Sequence, residues 1–215
     1  MHAIIQQQEE TAMSSAIRKS SHTYTVADYL SWQGDERYEL IDGEAYLMAP
    51  TPVVEHQRIT GNLYFGLRLC LKDIRHGNIE CACEVFDSPI DVLLAPDTVV
   101  QPDVVLVCDP AKLANGKHID GSPDLAVEVV SPSTGRMDRL LKRDLYERCG
   151  VLHYWLADPV TLTLEWYRLE AGAYGKPAVF GRGDTVTLPI CGGLTLQLDD
   201  IFGPEPAVER RGPDL

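Results

Sequence analysis

The stretch that decides the fold is Gln101-Pro-Asp-Val-Val-Leu-Val, together with Asp124-Leu-Ala-Val-Glu-Val-Val-Ser-Pro-Ser-Thr further along the chain. Both contain nearly continuous apolar runs, which are typical of strands covered on both faces of a sheet. Arg136 to Cys149 follows with a helical pattern, and Gly150 is a typical residue just beyond a helix. These segments predict two buried strands and a helix that follows the second strand.

The other elements alternate around this unit. They are a helix after Thr25 with Asp28 completing a capping box, a hairpin from Arg37 to Ala49 that turns at Asp42-Gly43, a helix from Val54 to Lys72, strands at 80–86, 90–94, 153–157 and 162–169, and short antiparallel strands up to Ile201. The order predicts an α/β fold with a mixed β-sheet flanked by helices and a β-rich C-terminal extension. We expect a single domain at residues 23–202, between a flexible arm at 1–22 and a loose tail at 203–215.

The composition is that of an ordinary globular protein, with 45% hydrophobic and 24% charged residues. Lys and Arg total 19 against 32 Asp and Glu, which gives a net charge of −13. This acidity argues against a broad grip on nucleic-acid phosphates, which needs clustered cations. It leaves room for a small site at which a bound divalent cation supplies positive charge locally.

The six cysteines bear on the redox state. An even number can indicate disulfides, but we find no secretory signal, so we expect reduced thiols and a cytoplasmic protein. Cys108 and Cys149 lie in apolar contexts typical of small core residues. Cys81 and Cys83 form an isolated C-x-C without a second Cys/His pair at zinc-finger spacing, which gives a structural zinc little support. No apolar run approaches the ~20 residues of a membrane helix.

Two carboxylates interrupt the apolar strands. Asp103 stands at the head of the first strand, and Glu128 lies inside the second. A carboxylate in a buried strand is costly unless it is paired, protonated or bound to a metal, and two on neighbouring strands repel each other. A divalent cation that prefers oxygen ligands would hold both in the ionised form. The alternative is that Glu128 pairs with an Arg or Lys at a strand edge.

The next helix carries a cation that bears on this choice. Asp138, Lys142 and Tyr146 are spaced by four residues and share one face. If the helix folds back over the sheet, the Lys142 ammonium comes near the carboxylates, where it can orient an attacking water or stabilise developing negative charge. The alternative is a solvated helix with an exposed Asp138–Lys142 ion pair, worth only about 0.3–0.5 kcal/mol.

Two residues further upstream are also candidates. Glu39 alternates with its neighbours on a strand, so it can face inward as another ligand or as a base that orients water. His56, near the start of the long helix, is assigned a structural role. The alternative for His56 is that it orients a phosphate or a metal-bound water.

Six motifs in order carry a resemblance to a known family. They are Tyr38-Glu-Leu-Ile-Asp-Gly-Glu, Glu55-His-Gln-Arg-Ile, Gln101-Pro-Asp-Val, Val127-Glu-Val-Val-Ser-Pro-Ser-Thr, Lys142-x-x-x-Tyr146 and Gly150-Val-x-x-Tyr154-Trp155. From Thr23 to Leu169 they resemble the bacterial Uma-type restriction endonucleases of the PD-(D/E)XK nuclease superfamily. The resemblance implies a restriction-endonuclease-like fold and metal-dependent hydrolysis of phosphodiester bonds in DNA.

The resemblance also implies roles for single residues. Asp103 matches the acid of the PD element, Glu128 matches the second acid, and Glu39 matches an additional N-terminal acid. The chain departs from the superfamily at Val130, where a lysine is usual two residues after the second acid. The resemblance implies that the following helix supplies the missing cation, which points to Lys142.

We therefore expect a site for Mg²⁺, or Mn²⁺, made by Asp103, Glu128 and the carbonyl of Val129. The predicted catalytic residues are Glu39, Asp103, Glu128 and Lys142. Gln101 is expected to support this site. The metal would lower the pKa of a bound water and neutralise the scissile phosphate.

Two alternatives stay open at this point. The acidity and Val130 favour a non-catalytic nucleic-acid-binding or regulatory protein on a nuclease fold. The acidity also fits a hydrolase of a small phosphodiester or nucleotide. We expect DNA as the substrate, no membrane partner, and a homodimer, because duplex cleavage needs two cuts and symmetric pairs are common.

Overall fold

The computed structural model describes residues 23–48, 53–77, 79–131 and 135–203. The predicted arm at 1–22 and all but the first residue of the predicted tail lie outside these ranges. Within them, no helix combines the length and the apolar character that a membrane span requires.

The helices and strands agree in outline with the sequence prediction. The helices are α1 (Val26–Ser31), α2 (Val54–His76), a 3₁₀ turn (Pro110–Leu113), a π-helical turn (Met137–Lys142) that leads into α3 (Arg143–Arg148), and α4 (Leu198–Phe202). The strands are β1 (Tyr38–Ile41), β2 (Glu44–Leu47), β3 (Glu84–Asp87), β4 (Val92–Ala95), β5 (Thr98–Val100), β6 (Val104–Val107), β7 (Ile119–Asp120), β8 (Leu125–Val129), β9 (His153–Asp158), β10 (Thr163–Glu170), β11 (Ala173–Tyr174), β12 (Ala178–Phe180), β13 (Thr185–Leu188) and β14 (Leu194–Gln197).

The strands divide into two larger sheets and one hairpin. The first sheet has the order β2-β1-β5-β4-β7, and the second has the order β11-β10-β9-β8-β6-β3 with β12 also on β10. In the second sheet β8 is parallel to β9 and antiparallel to β6. The predicted α/β fold with a mixed sheet is confirmed, and the structure adds the first sheet, which the sequence did not separate. Strands as short as β5 and β7 carry too little periodicity to be predicted.

The predicted start of α1 and the predicted hairpin turn are both confirmed. The Thr25 hydroxyl accepts a hydrogen bond from Asp28 N–H at 3.2 Å, and the Asp28 carboxylate accepts one from Thr25 N–H at 2.8 Å. Asp42 and Gly43 have φ of 52° and 76°, as a two-residue hairpin turn requires. A Cβ at Gly43 would clash with Thr23 Cγ2 and lie 3.2 Å from the Tyr24 carbonyl oxygen, and the positive φ also favours glycine there.

Successive residues of the central strands face opposite cores, which explains their continuous apolar runs. Leu106, Val127 and Trp155 pack with the buried face of α2 in one core. Val105, Ala126 and Tyr154 pack with Leu145 and Tyr146 of α3 in the other. The carboxylate of Glu128 therefore lies on a strand with apolar layers on both sides.

The cysteine prediction is wrong for four residues. Cys81 pairs with Cys191 and Cys83 with Cys108, with sulfur–sulfur distances of 2.00 and 2.02 Å. Cys108 is therefore a disulfide partner and not simply a small core residue. The sequence hides these pairs because the partners stand 110 and 25 residues apart. Cys70 and Cys149 are free thiols.

Candidate active site

The pairing of β6 with β8 brings two of the predicted carboxylates together. The antiparallel register pairs Val104 with Val127, so Asp103, one residue before β6, lies next to the end of β8 that carries Glu128. Asp103 Oδ2 also accepts a hydrogen bond from the Val129 N–H at 2.7 Å. The Asp103 side chain is 16% exposed and that of Glu128 is 6% exposed, so Asp103 is the more accessible of the two.

Lys142 lies among carboxylates from three elements. Its Nζ is 2.9 Å from Glu39 Oε1, 2.9 Å from Glu128 Oε1 and 3.9 Å from Asp138 Oδ1. All four residues are buried, which rules out the exposed Asp138–Lys142 pair that the sequence left open. Glu128 does pair with a lysine, but the lysine comes from the helix over the sheet and not from a strand edge.

A π-helical turn, where the sequence predicts an α-helix, presents Asp138 and Lys142 to the sheet. The Arg143 N–H reaches the carbonyl of Asp138, five residues back. The Tyr154 hydroxyl donates to the same carbonyl at 3.1 Å. Such turns insert one extra residue into a helix and are frequent at functional sites. Here the buried Tyr154 hydroxyl, on β9, stabilises the turn by this hydrogen bond.

Neutral donors complete the hydrogen bonding of the two acids beside Lys142. The Tyr146 hydroxyl donates to Glu128 Oε1 at 2.7 Å, the oxygen that also accepts from Lys142. The Gln101 N–H donates to Glu39 Oε1 at 2.9 Å. The sequence placed Tyr146 on the face of Lys142 but assigned it no role.

The titration behaviour of the site reflects a shortage of cations. Burial raises the pKa of Glu128 well above its usual value, Lys142 opposes this, and Asp138, Asp103 and Glu39 raise it further. Burial lowers the pKa of Lys142, but Glu128, Glu39 and Asp138 outweigh burial and the net shift is strongly upward. Both shifts are expected where carboxylates outnumber ammonium groups in a buried site. An excess of negative charge of this kind attracts a divalent cation.

His56 contacts Asp103 and the Val129 backbone, both of which belong to the predicted metal site. Its Nε2 lies 3.2 Å from Asp103 Oδ2, and its Nδ1 lies 3.4 Å from Thr60 Oγ1 on the same helix. Burial alone lowers the pKa of His56, but the hydrogen bond and charge of Asp103, with smaller contributions from Asp138 and the Val129 backbone, raise it overall. The structure thus places His56 at the site, although the sequence favoured a purely structural role. The signal was its position in the motif Glu55-His-Gln-Arg-Ile.

The Gln101 side chain points away from Glu39 into a separate polar cluster. Its Oε1 accepts from Arg37 Nε at 2.9 Å, and its Nε2 donates to Tyr29 Oη at 3.1 Å and to Asp91 Oδ1 at 2.8 Å. These residues line a cavity of about 310 Å³ together with Trp32 and others. Gln101 therefore supports the carboxylate site through its backbone.

The position two residues after Glu128 holds no cation. Val130 is half-buried, and its N–H donates to the Ala157 carbonyl at 2.8 Å, which continues the pairing of β8 with β9. The cation in contact with Glu128 is Lys142. Valine thus stands where the superfamily usually has a lysine, and a lysine from the following helix contacts Glu128 instead.

Comparison with known proteins gives a family and a fold. The family model described as "Uma2: Putative restriction endonuclease" matches residues 26–199. The chain is 29% identical over 144 residues to the "Uncharacterized protein slr1290" of Synechocystis, a match that covers 65% of this chain and 71% of that protein. A crystal structure described as a "putative nuclease belonging to DUF820" from Anabaena variabilis superposes with a TM-score of 0.64 at 20% identity, covering 83% of this chain and 97% of that one. At this identity the likeness shows a common fold.

Proposed function

The chain belongs to the Uma2 family, and on that premise we propose that it is a divalent-metal-dependent nuclease that hydrolyses phosphodiester bonds of DNA. One observation carries the proposal: Asp103 Oδ2 accepts a hydrogen bond from the N–H of Val129, the residue next to Glu128, and the buried Lys142 ammonium touches Glu128. Acids on neighbouring strands and a nearby cation are the groups that metal-assisted phosphodiester hydrolysis requires.

The metal proposal is supported by the donor set and by the local charge. Asp103 and Glu128 would hold Mg²⁺ or Mn²⁺, with the carbonyl of Val129 as a third ligand. All three offer the oxygen ligands that these ions prefer. When bound, the ion would lower the pKa of a water and neutralise charge on the phosphate. His56 hydrogen-bonds to Asp103 and to the Val129 backbone, so ion binding would change or displace that contact.

Lys142 is proposed as the cation that the superfamily usually places at position 130. Its ammonium would orient the attacking water or stabilise the negative charge that develops on the phosphate. Glu39 holds the same ammonium from β1, and the Gln101 N–H fixes that carboxylate. Glu39, Asp103, Glu128 and Lys142 therefore form the proposed catalytic set.

A second function is favoured by one specific observation. The Lys142 ammonium is already 2.9 Å from two carboxylates, and its side chain is only 4% exposed. Its role can therefore be limited to stabilising the fold. In that case the chain would be a non-catalytic nucleic-acid-binding or regulatory protein. A hydrolase of small phosphodiesters would also suit the net charge of −13. The homodimer and the cytoplasmic location stay predictions.

The test is cleavage of several substrates with Mg²⁺ and with Mn²⁺. We would compare plasmid DNA, single-stranded DNA, RNA and bis(p-nitrophenyl) phosphate, using the parent protein, Asp103→Asn and Lys142→Met. The matched controls are Asp73→Asn and Lys72→Met, since both residues are exposed on α2. We expect metal-dependent DNA cleavage that falls by about 10²-fold or more in the site variants and is unchanged in the controls.

Each contrary result has a definite meaning. Turnover of the small ester alone would favour the small-phosphodiester hydrolase. No cleavage of any substrate with either metal would favour the non-catalytic protein. Equal calorimetric binding of Mn²⁺ by Asp103→Asn and the parent protein would rule out the metal assignment.

A further inference from the structure

Four cysteine sulfurs form one cluster at the end of the second sheet. The two disulfides, Cys81–Cys191 and Cys83–Cys108, are in contact with each other, because Cys83 Sγ lies 3.3 Å from Cys191 Sγ. The sulfurs of Cys81, Cys83 and Cys191 all lie within 4.8 Å of one another. Cys108 lies outside this group of three and is joined to it by its bond to Cys83. Two disulfides that served only as separate cross-links would not need to meet in this way.

Three separate segments of the chain deliver these sulfurs. Cys81 and Cys83 stand two residues apart in the segment that leads into β3, and their sulfurs lie within 4.8 Å of each other. The register that pairs Glu84 with Val107 places Cys83 opposite Cys108 when it is extended by one step. Cys191 comes from the turn between β13 and β14, where it has a φ of 50°, a left-handed conformation that a non-glycine residue rarely adopts.

We propose that these four cysteines, once reduced, bind one Zn²⁺ through four thiolates. Zinc takes four thiolate ligands in a tetrahedron with Zn–S distances of about 2.3 Å, which puts the sulfurs about 3.8 Å apart. The contact between Cys83 and Cys191 is already close to that separation. After reduction, Cys108 Sγ would move away from Cys83 to become the fourth ligand. The proposal does not depend on the nuclease function.

The positively charged side chain of Arg75 lies beside the cysteine cluster. Zinc with four thiolates carries two negative charges in excess, and neighbouring donors and cations stabilise such centres. Arg75, in the last turn of α2, donates from Nε to the Cys81 carbonyl at 3.1 Å and from a second nitrogen to the Cys83 carbonyl. Its guanidinium therefore holds the C-x-C segment in place and adds positive charge next to it.

The cysteine site is separate from the carboxylate site in position and in chemistry. Asp103 and Cys108 flank opposite ends of β6, roughly 17 Å apart for five extended residues. The four positions around the metal would all be occupied by protein thiolates, as in structural zinc sites. Its effect would be to fasten the β13–β14 hairpin to β3 and β6. Val186, Leu188, Leu194 and Leu196 of this hairpin belong to the same core as the buried face of α2.

Zinc can bind only after both disulfides have been reduced. Two molecules of a phosphine reductant reduce the two disulfides, each giving two electrons, taking an oxygen from water and leaving as the phosphine oxide. Four thiols result. On binding Zn²⁺ these thiols release four protons, so metal binding is stronger at higher pH.

The experiment is metal binding by the full chain after reduction with the phosphine. We would measure zinc content by mass spectrometry and titrate Co²⁺ while recording sulfur-to-cobalt charge-transfer absorption. The variants are Cys81→Ser and Cys191→Ser, and the matched controls are Cys70→Ser and Cys149→Ser, which remove the free thiols. Asp103→Asn serves as a further control for the carboxylate site. We expect one tightly bound zinc and a thiolate spectrum in the parent protein and all three controls, and loss of both in the two cluster variants.

A measurement on the unsubstituted protein guards against variants that fail to fold. X-ray absorption at the zinc edge should show four sulfur neighbours at about 2.3 Å. Nitrogen or oxygen neighbours at about 2.0–2.1 Å would overturn the proposal. So would a reduced parent protein that retains no zinc after dialysis, or a thiolate spectrum that persists in Cys81→Ser and Cys191→Ser.

Discussion

The Lys142 ammonium and the Glu128 carboxylate lie 2.9 Å apart, although one belongs to a helix and the other to a strand. Both side chains are buried, and Glu39 and Asp138 lie around the same ammonium. Removing one member of a buried ion pair leaves its partner's charge without compensation, which costs far more than loss of an exposed pair. Substitutions at these positions should therefore produce large changes in the free energy of unfolding.

Replacement of Lys142 by methionine should destabilise the protein strongly. The change leaves buried carboxylates without their cation, and such losses amount to about 3–5 kcal/mol. Lys72→Met, on an exposed part of α2, should stay within about 0.5 kcal/mol. The measurement is the free energy of unfolding from urea denaturation. A loss below about 1 kcal/mol in Lys142→Met would show that the buried pair is not a significant part of the fold.

A lysine placed at position 130 should restore part of the nuclease activity lost in Lys142→Met. Residues 128 and 130 point to the same face of an extended strand, so an ammonium at position 130 can approach the Glu128 carboxylate. We expect Val130→Lys/Lys142→Met to cleave DNA faster than Lys142→Met in the same assay. The double variant must first be shown to fold by circular dichroism. If it folds and cleaves no faster, Lys142 does not act as the substitute for the usual lysine.

Tyr146→Phe should lower stability through the loss of one hydrogen bond. The hydroxyl donates to Glu128 Oε1 at 2.7 Å in a fully buried position, and hydrogen bonds to charged groups contribute about 1.5–3 kcal/mol. Tyr64→Phe removes a hydroxyl that accepts from Arg68 on the surface of α2 and should cost less than about 0.5 kcal/mol. Equal losses in the two variants, measured by urea denaturation, would contradict the role given to the Tyr146 hydroxyl.

His153 should make the protein less stable as the pH falls. Burial lowers its pKa, Arg168 lowers it further, and Asp124 opposes both. The Trp166 indole N–H donates to His153 Nδ1 at 3.3 Å, a contact that requires an unprotonated nitrogen. Because the folded pKa lies below the unfolded value of about 6.5, this contribution is complete above that pH and is lost as the pH falls through the folded pKa.

The check is a comparison of urea denaturation at several pH values between about 7.5 and 5. The parent protein should lose stability more steeply than His153→Gln, which cannot titrate in this range. His76→Gln, at the exposed end of α2, is the matched control and should follow the parent protein. A parent protein and His153→Gln with parallel pH profiles would show that His153 titrates alike in the folded and unfolded states.

Local patterns in the sequence were enough to identify the main elements. The apolar runs before and around Glu128 predicted β6 and β8, the Asp42-Gly43 turn predicted the first hairpin, and Thr25 predicted the start of α1. These features depend on interactions within one turn or one strand, so their energies are encoded over a few neighbouring residues. The same patterns predicted that Asp103 stands at the head of one buried strand and that Glu128 lies inside another.

Only the tertiary structure decided what surrounds those carboxylates. The contact of Glu39 with Lys142, the contact of His56 with Asp103 and the meeting of four cysteines each join residues far apart in sequence. Such contacts depend on how α2 and the π-helical turn pack on the sheet, and no periodicity within a segment encodes that packing. The sequence alone determined which residues could hold a cation. The packing of the helices on the sheet placed Lys142 beside Glu128, and it placed the sulfur cluster at the other end of β6. The physical reason is that burial in a shared core brings together charges and thiols that are distant in the sequence.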